Sequence, residues 1–202
     1  MLECLENPNV SEIMLVSRRP YGMQHPKLKE CIVSDFMVLE GCEEQMSGYD
    51  ACFFCAGISS VGMKEDKYTR ITYNMTLHFA HKLVSINPDM SFVYVSGAST
   101  DSTEKGRMMW ARVKGRTENA LLKLPFKAVY CFRPGFMKAV PGQKHVNKYY
   151  KYVAWLYPFM QAIFPNTVST LNNVGKAMIN SIIKGYHKRV LEIRDINTLA
   201  RM

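Results

Sequence analysis

The sequence is poor in several things at once, and each absence narrows what the chain can be. None of its apolar stretches reaches the ~18 residues that a helix needs to span a bilayer. The greasiest, Tyr152 to Phe164, is interrupted by Pro158 and Gln161. Acidic residues (Glu3, Glu6) stand where a signal peptide is positive, so export is not expected and a cytoplasmic location is. Its six cysteines (Cys4, Cys31, Cys42, Cys52, Cys55, Cys131) are scattered through apolar stretches, which reads as buried thiols without disulfides. Cys52 and Cys55 spell C-x-x-C, but residues three apart on a strand point to opposite faces, and no second pair exists to complete a zinc site. Neither metal nor redox chemistry is expected from them. Glycine is missing from the first 21 residues, and acidic residues are scarce in the second half. Residues 101–202 hold 18 Lys/Arg against 5 Asp/Glu, whereas residues 1–100 hold 8 against 12.

What remains is an ordinary globular composition, with 202 residues, 48% of them hydrophobic, enough for one core. A single domain over 1–202 is expected. Short apolar runs alternate with helical patterns, which argues for an α/β fold with a parallel sheet and helices on both faces. The runs are Glu12–Ser17, Cys31–Ser34, Ala51–Cys55, Phe92–Ser96, Ala128–Phe132 and Val190–Arg194. Asp66 is placed to cap a helix with the stripe Ile71, Met75, Phe79, Leu83 and Ile86. Further helices are predicted over Arg107–Lys123, Lys148–Phe164 and Thr170–Lys184, the last stopped by Gly185. Leu2, Cys4 and Leu5 read as one side of a helix ending at Asn7-Pro8-Asn9, with no strand before it.

In open α/β sheets ligands bind beyond the carboxyl ends of the strands, so those ends are where chemistry is sought. Arg18 and Arg19 follow the first run, where cations suit a phosphate. Ser34-Asp35-Phe36 follows the second, with Asp35 either accepting a hydrogen bond from an adenine amine or capping a helix. Cys55-Ala56-Gly57 ends the third in small residues that let a flat ligand approach. Ser96-Gly97-Ala98-Ser99-Thr100 ends the fourth, and Trp110 and Lys114, four apart, share a helical face beyond it. Pro134 and Gly135 close the fifth with a rigid and then a permissive turn.

These pieces in this order resemble the atypical and extended short-chain dehydrogenase/reductase superfamily, in its NAD(P)-binding, epimerase-like branch that includes the Tat-interacting-protein-like oxidoreductases. The resemblance rests on Val16-Ser17-Arg18-Arg19, Ser34-Asp35-Phe36, Phe54-Cys55-Ala56-Gly57, Asn74, Tyr94-Val95-Ser96-Gly97, Lys114-Gly115-Arg116-Thr117-Glu118 and Phe132-Arg133-Pro134-Gly135. It implies a Rossmann-like, doubly wound parallel sheet that holds NADP or NAD. Arg18 and Arg19 would meet the adenosine phosphate, Asp35 and Phe36 the adenine. Cys55, Ala56 and Gly57 would meet the middle of the dinucleotide. Asn74 is carried over as a further cofactor-binding position. Lys114 would contact the nicotinamide ribose, and Pro134 with Gly135 would line the nicotinamide pocket. Catalysis would fall to Ser96, Ser99 and Lys114, in a hydride transfer involving a carbonyl compound or nucleotide sugar.

The chain departs from that pattern twice. The superfamily opens with a strand and a G-x-x-G-x-x-G loop that cradles the pyrophosphate, and neither is present here. The expectation is that the sequence begins inside a longer protein, lacking a strand from the centre of the sheet and leaving a gap between two neighbours. Trp110 stands where the family's catalytic tyrosine is expected. An indole N–H donates a hydrogen bond but does not exchange protons near neutral pH, which opens the alternative of a non-catalytic, NADP-binding regulatory or scaffold protein. Ser96, Ser99, Thr100, Asp101 and Tyr73 are the groups available as substitutes.

Residues 134–170 correspond to a variable segment whose basic and aromatic residues would line an acidic-substrate pocket, lie on a membrane surface or pack on another subunit of a homo-oligomer. A small-molecule substrate is the expected partner, and the basic half favours an anionic one. Docking on an anionic polymer or lipid is a third reading. No nucleic-acid motif accompanies the basic half, so nucleic acid is not among the expected partners.

Overall fold

The computed structural model describes residues 1–39, 41–138 and 168–202. A short helix α1 (Leu2–Glu6) precedes β1 (Ile13–Ser17), β2 (Leu28–Ile32) and β3 (Ala51–Phe54). Then come α2 (Glu65–Thr69), a π-helical turn (Arg70–Asn74), α3 (Met75–Ile86), β4 (Ser91–Val95), α4 (Met109–Leu121) and β5 (Ala128–Arg133). The chain continues through β6 (Phe136–Lys138), β7 (Val168–Thr170), α5 (Leu171–Ile183), β8 (Val190–Glu192) and α6 (Ile193–Leu199). The helix expected over Lys148–Phe164 lies outside the described residues.

Among the described residues all of the strand pairs are parallel. β3, β4, β5 and β8 form a four-stranded sheet in that order, β1 pairs with β2, and β6 with β7. The strand period of two explains why β4 and β5 read as unbroken apolar runs. Phe92, Tyr94, Val129 and Cys131 pack with Leu77, Phe79, Ala80 and Leu83 of α3 and Leu121 of α4. The intervening Val93, Tyr130 and Phe132 pack with Val174, Ala177 and Met178 of α5 and Ile196 and Leu199 of α6. Helices thus cover both faces, and the fold is the α/β, Rossmann-like, doubly wound class that the alternation predicts.

Between β1 and β3 the layer is interrupted. Ile13 N donates to Lys27 O and Val33 N to Ser17 O, so residues 13, 15 and 17 bond β2. In a parallel ladder the backbone groups of Met14 and Val16 then point away from β2. By the same count, Ser91 N donating to Asp50 O sets residues 50, 52 and 54 against β4. Ala51 and Phe53 are left facing away from it. Among the described residues β1 and β3 do not pair. Met14 and Val16 nevertheless pack on the core that contains Phe54, and Tyr49 Oη donates to Glu12 Oε1 across the amino ends of the two strands. These two sheets thus share one core.

The elements differ from expectation in four places. The second strand is Leu28–Ile32 rather than Cys31–Ser34, because Asp35 and Val38 already form a turn beyond Val33. Helix α2 has Lys64, not Asp66, at its cap, with no side-chain capping bond. The last run is cut at Glu192, where the Glu192 and Asp195 side chains each accept from the other's end of the first turn and start α6. The expectation of thiols throughout is overturned at Cys31 and Cys42, which form a disulfide with their Cα atoms 6.2 Å apart. Cys4, Cys52, Cys55 and Cys131 are free. Helix α5 conforms: Thr170 Oγ1 accepts from Asn173 N at 3.1 Å, and Gly185, at φ +70°, follows the C-terminal end.

Candidate functional site

Because β3, β4 and β5 are parallel and in register, with Phe54 opposite Tyr94 and Val95 opposite Phe132, their carboxyl ends emerge side by side. The loop after β4 is bound down onto β5. Ser96 N donates to Phe132 O at 2.8 Å and Ala98 N to Pro134 O at 3.0 Å. Thr100 Oγ1 donates to Gly97 O at 2.7 Å. Ser99, exposed, takes a left-handed conformation at φ +65°. Such a conformation costs a non-glycine residue of order 1–3 kcal/mol.

Helix α4 brings Trp110 and Lys114 to this loop. A Cβ on Gly97 would sit 3.9 Å from Lys114 Nζ and 4.0 Å from Trp110 Cζ3, so the two side chains flank it. Lys114 Nζ donates to Ser96 O. Burial lowers the Lys114 pKa from its usual 10.5, with Glu118 acting in the opposite sense. The helix comes this close because of Gly115, where a Cβ would fall 1.8 Å from Asp101 O.

Beneath Ser96 lies a buried ion pair that sequence reasoning did not single out. The Ser96 hydroxyl donates to Glu118 Oε1. Glu118, with 1% of its side chain exposed, also receives Arg133 Nε at 3.1 and 3.2 Å and Arg133 Nη2. Arg133 reaches Glu192 and the Ser102 hydroxyl as well. Burial works against the Arg133 charge, but Glu118 and Glu192 outweigh it and its pKa is raised. The network ties α4, β5, β8 and the 101–106 loop together. The signal available in the sequence was spacing: Ala111, Gly115 and Glu118 share the inward face of α4.

Elsewhere on the strand ends the expected residues take up distinct roles. Arg18 and Arg19 are exposed after β1, where the Ser17 hydroxyl donates to Arg19 O. Among the described residues neither guanidinium has an ion-pair partner. Asp35 is exposed, and its Oδ1 accepts from Met37 N at 3.0 Å, so it shapes a turn. Phe36 places its ring edge-on to Phe79 at 6.2 Å, in the core margin. Cys55, Ala56 and Gly57 are exposed, and a Cβ on Gly57 would meet nothing within 4 Å, leaving open space above the backbone. Asn74 is exposed at the end of the π-helical turn. Pro134 is buried and Gly135 half-buried.

Besides Ser96 and Thr100, two more of the substitute proton carriers are already engaged. Asp101 accepts from Thr103 Oγ1 and N and from Gly106 N, which holds its carboxyl below the usual range. The Tyr73 ring lies under the Arg116 guanidinium, 4.3 Å from its centroid. That pair belongs to a cleft of about 420 Å³ that also involves Leu77, His81, Asn119 and Lys123, between α3 and α4.

A crest of this kind can hold an extended anionic ligand: exposed cations over β1, an open backbone over β3, and a lysine over β4. No protein-family model matches the sequence, and no curated protein matches it. Solved structures do match. One is a glucuronic acid dehydrogenase from Chromohalobacter salexigens, at a TM-score of 0.57 and 13% identity, covering 90% of this chain and 66% of that one. A UDP-N-acetylglucosamine 4-epimerase from Bacillus cereus matches at 0.58 and 13%, over 92% and 73%. RMD from Pseudomonas aeruginosa, solved in complex with NADPH, matches at 0.55 and 14%, over 94% and 85%. At these identities the likeness is one of fold: the chain has the Rossmann-like α/β architecture found in these dehydrogenases and epimerases.

Proposed function

We propose that the chain binds NADP, or NAD less tightly, along the carboxyl ends of β1, β3, β4 and β5. The observation that carries this reading is the pair Arg18 and Arg19, exposed at the end of a parallel strand and without ion-pair partners among the described residues. Guanidinium forks suit a 2′-phosphate. The residues fit the two ends of the dinucleotide: Arg18, Arg19 and Asp35 with Phe36 for the adenosine, and Lys114, Pro134 and Gly135 for the nicotinamide end. Cys55, Ala56 and Gly57 leave the central part open to approach, and Asn74 borders it. For the pyrophosphate no glycine-rich helix start occurs among the described residues.

When bound, the nicotinamide supplies hydride chemistry toward a carbonyl compound or sugar nucleotide. In that reaction Lys114 orients the ribose and exposed Ser99 faces the substrate carbonyl, while buried Ser96, its hydroxyl donated to Glu118, fixes the loop beneath them. A second reading is favoured by Trp110 and by the Ser96 hydroxyl, which donates inward to Glu118: the crest binds NADP without turning it over and reports it to a partner. In both readings the chain acts as one domain, with 134–170 as the segment that meets the substrate or partner.

Calorimetric titration with NADP and NAD tests the common core of both. NADP is expected to bind more tightly than NAD. Arg18→Ala/Arg19→Ala is expected to erase the difference, a loss of about tenfold or more for two charge-assisted hydrogen bonds. Equal affinities in the parent chain, or an unchanged preference in the variant, would overturn it. Turnover with a carbonyl substrate then separates enzyme from sensor.

A further inference from the structure

We propose that Cys31 and Cys42 form a reversible thiol–disulfide site that fixes the turn carrying Asp35 and Phe36, and that a low-molecular-weight disulfide such as glutathione disulfide sets its state. Cys31 lies on β2, which has no strand on its far side among the described residues. Cys42 lies beyond the turn, with its N donating to Leu39 O. Their Cα separation of 6.2 Å falls in the range a disulfide requires. Both residues are buried, at 5% and 3% exposure, so exchange with a small disulfide requires the turn to open first.

The chain on either side of this turn is held by other means. β2 is hydrogen-bonded to β1. Past Cys42, Glu43 pairs with Lys82 at 2.7 Å, Asn87 Nδ2 donates to Met46 O at 2.8 Å, and Gly48 N donates to Asn87 Oδ1 at 2.7 Å. Among the described residues, the turn itself is held by Phe36 against Phe79, buried Leu39, and short-range bonds from Met37 N and Val38 N back to Asp35 and from Cys42 N back to Leu39 O. Opening the disulfide therefore loosens the turn and leaves its anchors in place.

In the exchange, one protein thiolate attacks a sulfur of glutathione disulfide, giving a mixed disulfide and one glutathione thiolate. The second protein thiolate attacks the protein-side sulfur of that mixed bond, closing Cys31–Cys42 and releasing the second glutathione. Two electrons pass from the protein pair to glutathione, and the two thiol protons end on the two glutathione molecules. The consequence for nucleotide binding rests on the assignment of Asp35 and Phe36 to the adenosine, whereas the bond itself does not.

The test equilibrates the chain in buffers of graded glutathione to glutathione disulfide ratio, maps the cysteine peptides by mass, and follows chymotryptic cleavage after Phe36 and Leu39. A bridged Cys31–Cys42 peptide is expected at oxidising ratios and not at reducing ones. Cleavage in the turn is expected to rise about tenfold on reduction, the size of a modest change in local opening, with other sites unaffected. Cys42→Ser should be cleaved at the reduced rate in every buffer, and Cys4→Ser should behave as the parent. No bridged peptide at any ratio, or equal cleavage of both states, would overturn the proposal. NADP titration of both states is expected to show weaker binding when reduced. Equal affinity would remove the nucleotide consequence, and no binding by either state would overturn the crest assignment while the cleavage result stands.

Discussion

Glu118 and Arg133 carry more of the site than their place in the sequence announces. A carboxylate with 1% of its side chain exposed is tolerated because a guanidinium and a hydroxyl both point at it. Glu118→Gln leaves the Arg133 charge buried with only Glu192 at its rim. The expected loss is about 3–5 kcal/mol in urea unfolding, the cost of stranding one member of a buried pair. The double change Glu118→Leu/Arg133→Met is expected to recover a large part of it. A single variant within 1 kcal/mol of the parent, on the scale of exposed pairs, would show that the pair is not buried. Lys114 has a pH signature. Its pKa in the fold lies below 10.5 because burial disfavours the charge, so between that lowered value and 10.5 the unfolded chain binds more protons than the folded one. Stability from this group therefore rises with pH across that interval. Relative to Lys114→Met, the parent is expected to gain stability as pH climbs toward 10.5, and parallel pH profiles would contradict the burial.

At the scale of elements, α4 is positioned by what one of its residues lacks. Gly115→Ala would drive a Cβ into the Asp101 carbonyl, and backbone cannot step aside as a side-chain tip can. The expected loss is about 1–3 kcal/mol or more, the range for overpacking, read as a lowered melting temperature, with Lys114 withdrawn from the Ser96 carbonyl. An unchanged melting temperature would mean that the loop yields freely. The same elements show what a sequence discloses. Strands buried on both faces announce themselves as apolar runs, so β3, β4 and β5 were legible nearly to the residue, as was α5 between Thr170 and Gly185. The α6 start was hidden because Val190–Arg194 begins as a strand and only the Glu192–Asp195 box turns it. The Cys31–Cys42 bond was hidden because it joins a strand to a returning turn, and no local pattern records that approach. Glu118 four residues after Lys114 looks like an exposed pair along a helix. Only the inward position of its neighbours Ala111 and Gly115 says otherwise.

At the scale of the whole molecule, the described residues form three parallel sheets, and the β1–β2 sheet shares a core with the four-stranded one across an interruption between β1 and β3. The charge asymmetry of the halves has a counterpart here: the acidic first half nonetheless presents two cations, Arg18 and Arg19, at its first strand end, while the basic half supplies Lys114. That arrangement suits a ligand with anionic groups spread along it rather than concentrated at one end. The most direct measurement is a map of backbone amide chemical shifts on titration with NADP. Saturable changes are expected at Arg18, Arg19, Asp35, Ala56, Gly57, Gly97 and Gly135, with the α3–α4 cleft around Tyr73 and Arg116 unmoved. Changes confined to that cleft, or none along the strand ends, would contradict the account.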